Sequence, residues 1–259
     1  MLKAREFDII TDLLCTGAET RSGDDGTSIW FINVPYEPAL SQNLPAHLTC
    51  HMITPYCDQA RDWRDAGYNL FKDCDQAYED NGAPDRIILR AEKQSAATQA
   101  MLAAACRYIA QGGELLAWAP NDAGGRQLPK YVQQMGLSCR KEGRHHCTYV
   151  IARCDRDSLD DEEIANMRTA GDVQLNTQGY YSCPGLHSWR RPDTGSAMLA
   201  MHLPGGLEGN GADLGCGWGY LSCEIVQRMQ NNSHFYMIDN DARALKAAAM
   251  TMQAGTGAQ

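Results

Sequence analysis

The sequence predicts an α/β protein with two domains, and three stretches of the chain indicate this. Residues 211–223 have the order of a strand end, a tight glycine turn and a helix start. Residues 84–153 alternate short apolar strands with helical segments. Residues 155–163 form an acidic run between these two regions, and such a shift in composition is typical of a domain junction.

Length and composition are compatible with this division. The chain has 259 residues, of which 44% are hydrophobic, enough for one large core or two ordinary ones. It has no run of about 18 apolar residues that would predict a membrane span. The first eight residues also lack the apolar core of a signal peptide. We therefore expect a cytoplasmic protein.

The eleven cysteines include no Cys-x-x-Cys pair, and most lie in apolar segments. Free cysteine packs there as a small hydrophobic residue. The tightest His/Cys group is His145-His146-Cys147, at the start of a predicted strand. Neighbouring strand residues point to opposite faces, so these imidazoles are poorly placed to share a metal. We expect no metal site.

The net charge of −9 argues against a general nucleic-acid-binding surface. One basic group departs from this balance, with two histidines beside it: Arg126, Lys130, Arg140, Lys141 and Arg144. We favour a solvated face as its explanation over an RNA contact patch.

The first 71 residues predict short strands at 7–14, 28–34, 48–53 and 68–71, with a helix at 58–66. Prolines between these segments favour extended connections over helices.

The pattern sharpens beyond residue 84. Strands are predicted at 86–90, 114–119 and 147–153. Ser95 is the expected N-cap of a helix that runs to Gly112-Gly113, and a second helix is expected at 127–135. Residues 121–125 have turn composition.

The predicted domains are residues 1–153, an acidic linker with a short helix at 154–170, and residues 171–259. The last of these begins with a hairpin at 173–176 and 179–182. Tyr180 and Tyr181 of this hairpin are best explained by core packing, with stacking on an RNA base as the alternative.

Gly215, Gly217 and Gly219 remove every Cβ from one side of the predicted turn, so a ligand could approach the backbone there. The dinucleotide pattern G-x-G-x-x-G would need glycine at position 220, which is Tyr220. The next strand ends in Asp239. Its carboxylate could bind a ligand or simply precede the next helix, for which Asp241 is the expected N-cap.

The pattern Asp-x-Gly-x-Gly-x-Gly from Asp213 to Gly219 resembles motif I of class I S-adenosylmethionine-dependent methyltransferases. Together with Pro184-Gly-Leu-His-Ser188 and Asp193-x-Gly195-Ser196, it resembles the bacterial ribosomal-RNA guanine-N2 methyltransferases. These are two-domain enzymes whose N-terminal domain is a degenerate copy of the catalytic fold. The resemblance implies a degenerate methyltransferase-like domain followed by the first part of a Rossmann-like catalytic domain.

The resemblance also implies S-adenosyl-L-methionine as cofactor, with the methionine part held at the glycine turn and the ribose hydroxyls at Asp239. N-capping of the following helix explains Asp193 and Ser196 equally well. The predicted cofactor contacts are Asp193, Gly195, Ser196, Asp213, Gly215, Cys216, Gly217, Gly219 and Asp239.

Two departures from the family pattern affect the expected function. His187 stands where the family usually has an aromatic residue, and no Asn-Pro-Pro loop for the target base occurs. We expect a truncated methyltransferase for guanine N2 in ribosomal RNA, acting on rRNA or a ribosomal subunit and inactive as this chain alone. The alternative is a non-catalytic RNA- or protein-binding module derived from a methyltransferase.

Overall fold

The computed structural model describes residues 10, 26–230 and 234–254. The chain divides into two compact units, Met1–Ala170 and Gly171–Gln259, called unit 1 and unit 2 below. Both contain strands and helices, so the predicted α/β class is confirmed. The strand predicted at 7–14 lies outside the described residues except for Ile10, which is helical, so the prediction is wrong at that residue.

Unit 1 is built on a seven-stranded sheet with the order β3-β2-β1-β4-β5-β7-β6. The strands are parallel except β7, which runs antiparallel to both β5 and β6. Their bounds are β1 Ser28–Ile32, β2 Thr49–Ile53, β3 Asn69–Phe71, β4 Arg86–Arg90, β5 Glu114–Pro120, β6 Cys139–Arg144 and β7 Cys147–Arg153. The strand order reverses between β1 and β4, which is the point where ligands bind in open α/β sheets.

Helices cover both faces of this sheet. Along β1, Trp30 and Ile32 belong to one apolar core, and Ile29 and Phe31 to the other. A parallel strand buried on both faces has this continuous apolar sequence. The α-helices described between residues 26 and 170 are α1 Pro38–Asn43, α2 Cys57–Asp65, α3 Cys74–Asn81, α4 Ser95–Tyr108, α5 Leu128–Gln134 and α6 Asp161–Thr169.

Several predictions for unit 1 were wrong in detail. Ser95 is the first helical residue of α4, and Gln94 occupies the N-cap position. Pro38, expected in an extended connection, begins helix α1, because proline at the first helical position loses no intrahelical hydrogen bond. Helix α3 was not predicted, although Asp73 caps it by accepting a hydrogen bond from the Gln76 amide at 2.9 Å.

Strand β6 was also not predicted, and it forms a hairpin with β7. The pairing joins Arg144 to Cys147, so His145 and His146 form a two-residue turn. Both histidines have positive φ, 49° and 65°. Such turns match the twist of the strands, but asparagine and glycine adopt them with less strain than histidine. The hairpin therefore holds two residues in a costly backbone conformation.

The acidic segment after β7 packs with unit 1. Asp160 accepts a hydrogen bond from the Glu163 amide at 2.9 Å and begins α6. Ile164 and Met167 of this helix are buried in the apolar core of unit 1. Arg168 forms an ion pair with Asp75 of α3 at 2.6 Å. Residues predicted as a linker thus contribute to the packing of the first unit.

The described residues of unit 2, 171–230 and 234–254, form two small sheets and three helices. The strands β8 Gln174–Leu175 and β9 Tyr181–Ser182 form the predicted antiparallel hairpin, and β10 Gly211–Leu214 and β11 Phe235–Ile238 pair in parallel. The helices are α7 Thr194–Met201, α8 Tyr220–Val226 and α9 Ala242–Gln253. Within the described part of the chain, every helix is too short or too polar to cross a bilayer.

The strained turn between β6 and β7 gives a stability prediction. Replacing His145 by Asn and His146 by Gly should stabilise the hairpin by about 1 kcal/mol, because these residues accept positive φ more readily. Hydrogen exchange of the β6 and β7 amides would then slow about fivefold. The control variant His145→Val/His146→Val also removes both imidazoles but should accelerate exchange. Equal exchange rates in the two variants would show that the turn carries no strain.

Candidate cofactor-binding site

The turn between β10 and α8 is defined by three glycines with left-handed backbone conformations. The φ angles of Gly215, Gly217 and Gly219 are 81°, 54° and 88°. Residues with a Cβ adopt these angles only with strain, so the alternating glycines are a requirement of this backbone path. The turn stands at the carboxyl end of β10, as predicted from the sequence.

The three glycines have different surroundings. A Cβ added at Gly215 or Gly217 would meet no described heavy atom within 4 Å. A Cβ at Gly219 would lie 3.0 Å from the Cβ and 3.2 Å from the Cα of Ala248 in α9. The first two glycines therefore leave open space beside the backbone, whereas the third allows the turn to pack closely on α9.

Asp239 connects this turn to the end of β11. Its Oδ2 accepts a hydrogen bond from the Gly217 amide at 2.8 Å, and its Oδ1 accepts one from the Asp241 amide at 2.9 Å. A carboxylate has about four acceptor sites, so each oxygen retains capacity for a further donor. Asp241 caps α9 through the Arg243 amide at 2.9 Å, as predicted.

Asp213 and Cys216 lie on the inner side of the same turn. Asp213 Oδ2 accepts a hydrogen bond of 2.7 Å from Ser222 Oγ in α8. Cys216 is buried, and burial, together with the charges of Asp239 and Asp213, raises the pKa of its thiol to about 11. The thiol is therefore neutral at physiological pH and is not a nucleophile. Ser222 was missed by sequence reasoning, since a serine inside a helix carries no pattern of its own.

Trp218 anchors the turn to the segment that precedes α7. Its Nε1 donates a hydrogen bond to the carbonyl oxygen of His187 at 3.1 Å. Its ring also contacts those of Tyr180 and Tyr220, with centroid distances of 5.5 and 5.9 Å. Tyr180 is buried in this cluster and is a core residue. The backbone oxygen of His187 is thus used structurally, whichever side chain stands at that position.

Asp193 and Ser196 interact mainly with each other. Asp193 is the N-cap of α7; its Oδ1 accepts from the Ser196 amide at 3.0 Å and its Oδ2 from Ser196 Oγ at 2.6 Å. These hydrogen bonds, the side-chain one first, hold the pKa of Asp193 below its usual value. Gly195 lies between them, and a Cβ there would be 3.1 Å from Asp193 Oδ1. Capping accounts fully for the geometry of these three residues.

Asp193 nevertheless lies near the glycine turn. Burial raises the pKa of the Tyr220 phenol, and the charge of Glu224 raises it further. The charge of Asp193 also raises this pKa, by less than Arg228 lowers it. Tyr220 is the first residue of α8, directly after Gly219. The structure therefore places the cap of α7 within electrostatic reach of the turn.

The corresponding position in unit 1, after β1, is closed. Asn33 follows β1 with a φ of 57°, and its Nδ2 donates to the carbonyl oxygen of Arg90 at the end of β4, at 3.1 Å. Trp63 Nε1 donates to the Val34 carbonyl oxygen at 2.9 Å. The switch point of the seven-stranded sheet is thus bridged by protein groups.

Across residues 10, 26–230 and 234–254, no three His, Cys, Asp or Glu side chains are grouped closely enough to hold a metal ion. The absence of a metal from the protein stays a prediction.

The contrast between Gly219 and Gly215 can be tested by substitution. Gly219→Ala should destabilise unit 2 by about 1–3 kcal/mol more than Gly215→Ala, because only the former places a methyl group against Ala248. Both variants carry a similar cost of positive φ, so the second is a matched control. Hydrogen exchange of α9 amides measures the difference. Equal exchange rates would contradict the close packing at Gly219.

Comparison with known proteins identifies a matching family and several relatives. Residues 179–258 match the family described as the methyltransferase small domain. Relatives named ribosomal RNA small subunit methyltransferase C include those of Pseudomonas putida, 30% identical over 55% of this chain and 43% of the relative. The protein from Colwellia psychrerythraea is 25% identical over 66% and 49%. The protein from Haemophilus influenzae strain PittGG is 26% identical over 88% of this chain and 66% of the relative. The chain thus spans about half to two thirds of the length of these relatives.

Among solved structures, the chain resembles the 16S rRNA N2 G1207 methyltransferase of T. thermophilus, determined with AdoMet and guanosine. The TM-score is 0.72 at 17% identity, over 96% of this chain and 67% of that one. This similarity confirms the predicted methyltransferase-like fold. The match of residues 179–258 to the methyltransferase small domain and the names of the relatives confirm the resemblance predicted from the sequence.

Proposed function

We propose that the protein is an S-adenosyl-L-methionine-dependent methyltransferase that acts on the exocyclic N2 of guanine in ribosomal RNA. The observation that carries the proposal is the glycine turn, which is open at Gly215 and Gly217 and bordered by Asp239. The names of the relatives support ribosomal RNA as substrate. A role in rRNA modification places the protein in the cytoplasm, with rRNA or a ribosomal subunit as its partner.

The residues around the turn fit the proposed cofactor. The open backbone at Gly215 and Gly217 would accommodate its methionine part. Asp239 uses one acceptor site on each oxygen for the Gly217 and Asp241 amides, which leaves acceptor capacity for two ribose hydroxyls. Three further residues pack on the inner side of the turn and support its shape: Gly219, Asp213 and Cys216. The cap of α7 lies further out and contains Asp193, Gly195 and Ser196.

When bound, the cofactor supplies an electrophilic methyl group on a sulfonium. Methyl transfer of this kind is an in-line displacement, and orientation of the acceptor contributes most of the acceleration. The work of the chain's own residues is therefore binding and positioning. No described residue of the turn is required to act as an acid or base, and the neutral Cys216 thiol is consistent with this.

The second candidate is a non-catalytic RNA- or protein-binding module derived from a methyltransferase. Cofactor binding distinguishes the candidates, since a module that lost catalysis has no use for the open turn.

Isothermal titration calorimetry with S-adenosylmethionine tests the proposal. The full chain should bind saturably, and Gly217→Asp should abolish binding because its side chain would occupy the open space. Gly209→Asp is the matched control, since Gly209 also has positive φ, 83°, and open surroundings but lies outside the turn. Absence of binding to the unmodified chain would favour the non-catalytic module. Binding of NAD in place of S-adenosylmethionine would instead indicate an oxidoreductase.

The proposed role of Asp239 gives a second prediction. Asp239→Asn should weaken cofactor binding by about tenfold or more, because an amide accepts fewer hydrogen bonds than a carboxylate. Glu208→Gln removes the same charge from an exposed position of unit 2 and should leave binding unchanged. A cofactor analogue without ribose hydroxyls should bind the unmodified chain more weakly than S-adenosylmethionine does. The Asp239→Asn variant should bind the analogue and S-adenosylmethionine equally well. If removal of the ribose hydroxyls still weakened binding to the Asp239→Asn variant, Asp239 would have a purely structural role.

A further inference from the structure

Charge is strongly segregated within unit 1. Residues 121–146 carry five Lys/Arg and two Asp/Glu, a net charge of +3 with histidine neutral. The other residues of Met1–Ala170 carry 13 Lys/Arg and 23 Asp/Glu, a net charge of −10. The positive region is therefore a local exception in an acidic unit.

The fold brings these positive residues to one corner of the sheet. Cys139 Sγ at the start of β6 lies 3.9 Å from the Pro129 carbonyl oxygen in α5, so the strand and the helix are adjacent. The Asn121 amide donates to the His146 carbonyl oxygen at 2.8 Å, which holds the hairpin turn beside the loop after β5. The exposed cationic and imidazole side chains of this corner, called the hairpin patch below, are Arg126, Lys130, Lys141, Arg144, His145 and His146.

One acid of this region is already neutralised. Glu142 forms an ion pair of 3.1 Å with Arg140, which we therefore leave out of the hairpin patch. The other acid, Asp122, precedes the patch in the loop after β5. Residues 121–146 keep a net charge of +3 when both acids are counted.

Protection of a sheet edge does not explain the whole arrangement. Strand β6 is the outermost strand of its sheet, and charged residues on such strands discourage pairing with other chains. That role concerns β6 alone and does not explain why Arg126 and Lys130, which lie outside β6, are also positively charged. It also leaves unexplained why two histidines are kept at positive φ in the turn. Retained backbone strain is typical of functional sites.

The chemistry of the patch fits RNA better than a membrane surface. Proteins that lie on membranes combine cations with exposed large apolar side chains. Residues 121–146 are all described, and none of the exposed large apolar residues of the structure is among them. Lysine and arginine pair with phosphates, and histidine can also stack on unpaired bases.

We propose that the hairpin patch of unit 1 is a docking surface for the phosphate backbone of the RNA substrate. It rests on the proposed function for the identity of that RNA as ribosomal. The patch contributes to the affinity for RNA, whereas the cofactor binds at the glycine turn of unit 2. Its contacts are with phosphates, so they carry no base specificity of their own.

Fluorescence anisotropy with the full chain and a labelled small-subunit rRNA transcript tests the proposal. The patch variant is Arg126→Gln/Lys130→Gln/Lys141→Gln. The control variant Arg61→Gln/Arg64→Gln/Lys72→Gln removes three exposed charges from α2 and the end of β3, at the opposite edge of the sheet. The patch variant should bind about tenfold or more weakly, and its plot of log affinity against log salt should be shallower by about 2–3. The control variant should keep most of the affinity and slope.

Three results would overturn the proposal: equal losses in both variants, unchanged binding in the patch variant, or no binding of RNA by the unmodified chain. Loss of binding to phosphatidylserine vesicles, with RNA binding retained, would assign the patch to membranes instead. Calorimetry with S-adenosylmethionine on the same preparations separates this proposal from the proposed function. Both variants should bind the cofactor as the unmodified chain does. If the unmodified chain does not bind S-adenosylmethionine, the proposed function is contradicted. The salt dependence of RNA binding then still tests the RNA-docking role of the hairpin patch.

Discussion

The candidate site depends on one carboxylate that fixes two separate pieces of backbone. Asp239 accepts from the amides of Gly217 and Asp241, so it joins the middle of the glycine turn to the start of α9. Glycine-rich backbone loses much conformational entropy when it is ordered, and a charge-assisted hydrogen bond offsets part of this cost. The packing of Gly219 against Ala248 acts in the same direction. Together these contacts hold the turn in one shape while its outer side stays open.

The same topological position is used differently in the two units. In unit 2 the strand β10 is followed by glycines whose missing side chains leave space. In unit 1 the strand β1 is followed by Asn33, whose side chain bridges to the carbonyl oxygen of Arg90 on β4. Asn33 also has a positive φ, so a sharp bend is kept although glycine is absent. The side chains that follow the strand therefore decide whether the turn after it is open to a ligand.

Sequence patterns predicted the elements whose burial is regular. Strands β1, β4, β5 and β7 have largely buried apolar centres, and they were predicted close to their observed bounds. Strand β6 has the sequence Cys-Arg-Lys-Glu-Gly-Arg and no apolar alternation, because it is an edge strand with most side chains in solvent. Helix α3 buries only Cys74 and Ala77, too few for a helical period. The glycine turn was predictable from spacing alone, but the partners of Asp213 and Trp218 were not, since long-range contacts leave no local signal.

The nine predicted cofactor contacts divide according to how their polar groups are already used. Gly215 and Gly217 border open space, and Asp239 retains acceptor capacity beyond its two backbone donors. Asp193 and Ser196 form a closed pair, because the carboxylate accepts from both the amide and the hydroxyl of Ser196. A ligand that used the Ser196 hydroxyl as a donor would first have to break the bond of 2.6 Å to Asp193. Open space and spare acceptor capacity therefore lie at the turn and at Asp239, whereas the polar groups of the α7 cap are used within the cap itself.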